Sequence, residues 1–495
     1  MPSVSTIADP DATAAFPRRP RPGIVMGLRT GQVALLAAAL VLGLAGLFAG
    51  SQAGPARGLA LGTAAACVIL ALAQVDGRPG YLWIAHRSHH GLRSARRDTV
   101  VHRPVTGRGR RVRPIDRVDH GVGVLPGRAA AVTVYEVDQV AYLHHPHQAT
   151  VTAVVQVTSP EFLLQDPAER NARVAGWGRV LAAASRTGAI RQVHLLERAI
   201  PDDGTELAAY TQGHLSADPV HAHLGQAYRE LTDDLRGGAD RHQAFLAITV
   251  DARLARTPAR ERVKVLAKTW QQEYAVMRRL LPAAGLDKAH LLSENDLARV
   301  IRTGVDPSSA LYLPADVELA VADSGPIGGR EEWDHLRCDD AFHAVLWVAE
   351  WPRAHVAADV LWPLLFPSGV QRTLSLIYKP YTRTQSEAAI RAKHSEIIQS
   401  SWLKDKLGRV ETLADAKELD DVLARESELL AGHAEVGLVG LVTVSAPSLE
   451  ELQASVAMVH AAATQASMDL RRVYGQQLQA FTAAALPLGI PVVTS

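Results

Sequence analysis

The chain has 495 residues, 47% hydrophobic and 21% charged, with a net charge of +1. That balance argues for a folded chain rather than a disordered one, and the length suits about three domains. The net charge itself excludes little, because it sums unlike regions.

Two cysteines, Cys67 and Cys338, make neither a metal spacing nor a disulfide framework, which fits a reducing compartment for the folded part. Low aromatic content with abundant Ala, Val, Arg and Leu reads as a high-GC bacterial coding bias rather than as function.

In chain order, residues 1–29 read as a disordered cytoplasmic tail. Two apolar stretches follow within 30–76, "VALLAAALVLGLAGLFAG" and "GLALGTAAACVILALAQV". Each is long enough to cross a bilayer, and the short "SQAGPAR" connector makes them a tight transmembrane hairpin. A cleaved signal peptide would explain only the first stretch. Arg18, Arg19, Arg21 and Arg29 precede the hairpin, and Arg78, Arg87, Arg93, Arg96 and Arg97 follow it, while the connector holds only Arg57. The positive-inside rule puts both ends in the cytoplasm, with the hairpin in the inner membrane.

Residues 77–127 form a basic juxtamembrane linker. Its start, "GRPGYLWIAHRSHHGLR", suits an interfacial helix against anionic headgroups, so Arg29, Arg78, Tyr81, Trp83 and Arg87 are assigned to the membrane interface. A nucleic-acid patch has the same composition over so short a stretch, which leaves direct DNA contact open.

Beyond residue 128 the pattern turns to strands and helices. "AAAVTVYEV" and "ATVTAVVQVTSP" read as strands joined by the turn "YLHHPHQ". A helix from Asp166, a strand "IRQVHLLERAI", a helix capped by Asp218, a strand "HQAFLAITVD" and a helix from Ala259 complete a first domain, 128–325. The Pro/Gly-rich break at 321–333 precedes a second, 334–495. There "AFHAVLWVAEW", "RTLSLIYKPY", "EVGLVGLVTVSAP" and "DLRRVYG" are strands. Thr384 with Glu387 and Ser448 with Glu451 predict two capping boxes. The stretch "VETLADAKELDDVLARESELLAGH" reads as an acidic helix with a solvated face. A faint echo between "VTSPEFL" and "VSAPSLEEL", each leading through a helix to a strand, predicts two split βαβ modules of ferredoxin-like type in an α+β fold.

Catalytic motifs are scarce. No Gly-x-x-x-x-Gly-Lys-Ser/Thr and no Gly-x-Ser-x-Gly occurs, and the glycines Gly121, Gly123 and Gly127 miss the dinucleotide spacing. His144, His145 and His147, and His214, His221 and His223, lack companion ligands and read as surface histidines. Ser401 and Lys404 share the Ser-x-x-Lys spacing without its companion motifs. The expectation is no catalytic, cofactor or metal residue.

The two N-terminal helices followed by "DGRPGYLWIAHRSHHGLR" resemble the PrgI-type membrane proteins of actinobacterial conjugation-like type IV secretion loci. The stretches "TLSLIYKPYTRTQSEAAIRAK", "GLVTVSAPSLEELQASV" and "LRRVYGQQLQAFTAAALPLG" resemble the non-motor N-terminal domain of conjugation ATPases. The likeness covers most of the chain and carries no catalytic residue. It implies a scaffold that joins a membrane subunit to the docking part of an ATPase, with hydrolysis supplied by a separate ATPase chain because no motor follows. Membrane lipids and other inner-membrane secretion subunits are the further partners implied. Tyr378, Leu452, Val456 and Tyr474 are the candidate partner-docking residues. The alternatives are an accessory subunit of a type VII-like system, of the EccE sort, and a membrane-anchored enzyme.

Overall fold

A computed structural model of the chain describes residues 16, 30–48, 54–75, 78–102, 120–121, 132–159, 162–202, 204–215, 222–234, 240–254, 259–314, 316–352, 356–367, 369–391, 422–423, 426–427, 434–490 and 492. The tail other than Phe16, Arg29, Gly123, Gly127, Asp218, His221, Ser401, Lys404 and most of the acidic stretch lie outside them.

Helices α1 (Thr30–Phe48) and α2 (Gly54–Leu72) are 19 residues each, long and apolar enough to cross a membrane. They meet through small residues, because only these let two backbones approach. Ala39 and Ala64 are buried, and a Cβ on Gly46 would come within 3.0 Å of the Leu61 side chain. Leu40, Val41, Leu47, Ile69 and Leu72 point outward, each more than half exposed. At the other end the buried Gln32 donates from Nε2 to the Ala71 carbonyl at 2.7 Å. The two-residue strands β1 (Gln74–Val75) and β2 (Arg78–Pro79) turn the chain into helix α3 (Gly80–Ala95).

The rest of the chain folds on a mixed α+β plan around one large sheet. Its strands are β3 (Val100–His102), β4 (His120–Gly121), β5 (Thr133–Val137), β6 (Val140–His145), β7 (Thr150–Thr158), β8 (Ile190–Pro201), β9 (Asp240–Asp251), β10 (Lys288–Leu291), β11 (Gly328–Glu331), β12 (Leu336–Cys338), β13 (Ala341–Glu350), β14 (Gln371–Pro380), β15 (Val436–Ala446) and β16 (Asp469–Arg472). Neighbours run β3-β11-β12-β13-β15-β14-β8-β9-β7-β6-β5-β4, with β10 beside β7 and β16 beside β13.

Two halves repeat one pattern. β7, β8, β9 and β10 lie in the order β10-β7-β9-β8, and β13, β14, β15 and β16 in the order β16-β13-β15-β14, all antiparallel. Val155 stands between Leu246 and Leu291 as Leu346 stands between Val442 and Arg472. Leu246 faces Leu195 and Val442 faces Leu374, so Leu195 and Leu374 correspond, and with them Leu196 and Ser375. Those last two face each other where β8 pairs β14. The halves are therefore related by an approximate two-fold through that pair. The correspondence matches β7 with β13, whereas the sequence echo set the segment after β7 against the segment after β15.

Helices Pro167–Arg186 and Ala259–Arg278 cover one face of the first half, burying Val180, Leu266 and Trp270 against Leu246 and Ile248. Helix Leu449–Gln465 covers the second, seating Leu452, Val456 and Val459 on Leu346, Val442 and Val444. Ser448 caps it, accepting from the Glu451 amide at 3.2 Å. On the opposite face two arms leave the outer strands and cross: helix Glu294–Val305 after β10, and helix Gln477–Ala484 with its continuation to Ile490 after β16. At the crossing a Cβ on Gly304 would stand 2.6 Å from Leu486.

Four local expectations need correction. "YLHHPHQ" is a turn only from Pro146 on, where the Gln148 amide donates to the His145 carbonyl at 3.2 Å; Tyr142 and Leu143 bury on opposite faces and belong to strand β6, which the left-handed pair Asp138 and Gln139 (φ 53° and 61°) joins to β5. The break at 321–333 contains β11, and the sheet runs on through it. A further helix, Thr205–His214, precedes the expected one, which spans Ala222–Asp234. The cap before residues 383–391 is Thr382, whose amide donates to Gln385 Oε1 at 3.0 Å, while Glu387 pairs with Arg383.

Candidate functional site

Aromatic, cationic and acidic side chains converge at the joint between the hairpin and the sheet. It starts from α3. The Gly80 amide donates to the Ala73 carbonyl at 2.8 Å, which fixes the helix to the end of α2. Tyr81 reaches back to α1, where a Cβ on Gly31 would lie 2.5 Å from its hydroxyl. Trp83, Arg87 and His90 recur at helical spacing and so share one face. That face meets Trp333, in the turn between β11 and β12.

Trp333 is the hub. The Trp83 ring lies edge-on to it at 6.0 Å, His90 edge-on at 5.5 Å, and Tyr474 stacks at 5.7 Å. The Arg87 guanidinium sits 4.7 Å above its ring, a cation–π geometry. Gly475 permits this packing. Its φ is +69°, and a Cβ there would stand 2.6 Å from the Trp333 ring. Its amide donates to the Trp333 carbonyl at 2.7 Å.

One turn further along α3, Arg93 donates to Glu331 Oε2 at 2.7 Å and to the Gly475 carbonyl at 3.3 Å. The Glu331 side chain is fully buried and that of Arg93 is 15% exposed. Burial pushes the Glu331 carboxyl above its ordinary range, and the Arg93 charge opposes that rise. Arg472 pairs with Asp334 at 3.0 Å beside the same turn, and Trp347 and Arg471 line the remaining cleft against Trp83 and His86. The cleft left among the described residues here is small, about 10 Å³. What the arrangement does chemically is fasten one helix to one turn through aromatic, cationic and ionic contacts at once.

Of the interface residues assigned from sequence, Tyr81, Trp83 and Arg87 meet in or beside this joint. Arg78 contributes backbone to β2, and Arg29 lies outside the described residues. Of the docking candidates only Tyr474 belongs here, and it stacks on the chain's own Trp333. Leu452 and Val456 are core residues, 0% and 4% exposed, holding their helix to the sheet instead of facing a partner. Tyr378 packs edge-on against Trp177, and burial pushes its hydroxyl up to about 12. Sequence reading missed Trp333 and Glu331; the available signal was a lone tryptophan in the polar run "REEWDH".

The histidines divide. His147, His214 and His223 are exposed, whereas His145 is 2% exposed, so it is not a surface residue. Its Nε2 donates to the Leu488 carbonyl at 2.7 Å. No group of three or more His, Cys, Asp or Glu is placed to hold a metal among the described residues. No protein-family model matches the chain, and no curated protein matches it.

Proposed function

We propose that the chain is a non-enzymatic inner-membrane scaffold of a type IV secretion or conjugation-like apparatus, holding a separate ATPase at the membrane. The observation that carries the proposal is the joint itself. A hairpin of two apolar helices is clamped to a large sheet through Trp333 and the Arg93–Glu331 pair, so a load placed on the sheet passes to the hairpin. Arginines on both sides of the hairpin, and few between its helices, support a cytoplasmic location for the sheet. The stack of Phe16 on Trp351, 4.6 Å between centroids, supports placing the segments before and after the hairpin on one side.

Each half of the sheet has the strand order of a split βαβ module, which supports reading the soluble part as two ferredoxin-like units. The resemblance to PrgI-type proteins and to the docking domain of conjugation ATPases supplies the kind of apparatus. On the proposed role, lipids surround α1 and α2, other inner-membrane subunits lie beside them, and the sheet meets the motor.

The test is detergent purification of the full chain from its native membranes without ATP, followed by identification of what co-purifies. A secretion or conjugation ATPase is the expected companion. A type VII ATPase core would move the chain to that apparatus, and recovery with no secretion component would end the proposal.

A further inference from the structure

The two-fold relation between the halves makes one position comparable on both. In the second half, Trp347 of β13 stands opposite Arg471 of β16, and the two line the cleft that α3 fills. In the first half the corresponding pair is Gln156 of β7 opposite His290 of β10. There no part of the described chain takes the place of α3. The position opens instead into a groove of about 720 Å³.

The lining differs in chemistry from its counterpart. The half-buried Leu286 and Ala289 and the exposed Pro282 supply an apolar floor, resting on the buried Leu281. Arg278, from the end of helix Ala259–Arg278, and Lys288, from β10, stand exposed on the rim, and neither is paired with a carboxylate among the described residues. His290 reaches Asp296 at 3.4 Å, and Asp287 adds one acid to the lining. A cationic rim above an apolar floor complements a segment that is acidic on one side and apolar on the other. A nucleic-acid backbone would require a longer run of cations than two and would gain nothing from the leucines. Lipid is also a poor match, because the groove sits in the half opposite the one that carries the hairpin.

We propose that this groove is a second docking position, and that it takes an acidic amphipathic helical segment of a partner protein. It stands on the geometry of the groove and not on which apparatus the chain serves. The occupied position anchors the sheet to its own hairpin, and the open one anchors a partner.

The full chain in detergent is titrated against a fluorescein-labelled helical peptide with glutamate and leucine on opposite faces, read by anisotropy. Saturable binding is expected, and Arg278→Glu with Lys288→Glu weakens it by about tenfold or more, as two exposed attractions become repulsions. Both residues are exposed, so the double variant keeps its fold, checked by circular dichroism. Four outcomes overturn the proposal: no binding, equal binding of a lysine-for-glutamate peptide, binding indifferent to the double variant, or capture of a single-stranded oligonucleotide that the double variant abolishes.

Discussion

Arg93 and Glu331 meet where little water reaches them, so removing either leaves the other uncompensated. Arg93→Ala is expected to cost about 3 kcal/mol, the scale for stranding one partner of a buried pair. The stranded Glu331 carboxyl already titrates above its ordinary range because of burial. Its folded form therefore takes up a proton more readily than the unfolded chain does, and this favours folding at low pH and is lost as pH rises. Thermal melts of Arg93→Ala should show a larger deficit at pH 8 than at pH 5; an equal deficit would mean that the charge is not the cause. Gly475→Ala tests the same joint sterically. A left-handed backbone costs a residue with a Cβ about 1–2 kcal/mol, and the added carbon also meets the Trp333 ring. The expected result is a lower melting temperature with a shift in tryptophan emission. Nothing in the sequence separated Arg93 from Arg96 and Arg97, since all three belong to one basic run. What selects Arg93 is the buried acid it reaches across 238 residues of chain.

The crossing arms depend on buried neutral histidines. His343 donates from Nε2 to the Val305 carbonyl at 2.9 Å, ending one arm, and His145 donates to the Leu488 carbonyl, ending the other. His194 donates to Ser375 Oγ at 2.9 Å, and that hydroxyl donates to the Ala484 carbonyl. Burial lowers these imidazoles to about 4, 4 and 3 for His343, His145 and His194. The unfolded chain takes up protons first, near pH 6.5, so stability falls as pH drops from there toward 4, by up to about 1.4 kcal/mol per histidine per pH unit. Melts of the wild-type chain should decline across that window. A His145→Gln, His343→Gln double variant should start lower at pH 7 and decline less steeply; an equal slope would clear the two side chains of responsibility. At this scale the β-branched runs revealed the long central strands, and Ser448 revealed its helix. Short strands such as β6 and β11 were hidden because His144, His145 and "GGRE" carry turn composition. Their strand pairing is decided by neighbours distant in sequence.

Across the whole molecule, the sequence pattern divides the soluble part near residue 330, while the pairing of β8 with β14 makes one continuous sheet of it. Pairing between strands some 180 residues apart leaves no periodic trace, which is why the two-fold and its open groove emerge only from register. The path of the N-terminus is another long-range fact. Phe16 lies flat against Trp351, with 4° between ring planes, although the hairpin separates them in the chain. Thirteen residues, 17–29, join Phe16 to α1, a reach of at most about 50 Å. That reach lets Phe16 meet Trp351 on the side where α1 begins, and a crossing of a bilayer of about 40–45 Å would use nearly all of it. On the proposed scaffold role both flanks of the hairpin lie on one side, and the stack supports that placement. In inside-out vesicles, Phe16→Cys with Trp351→Cys should join through a short bis-maleimide and react with an impermeant maleimide. The same pair should resist that reagent in intact spheroplasts. Labelling of residue 16 from outside would break the topology on which the scaffold proposal rests. Loss of the cross-link with correct sidedness would remove only the stack, because the Trp333 joint holds the sheet to the hairpin without it.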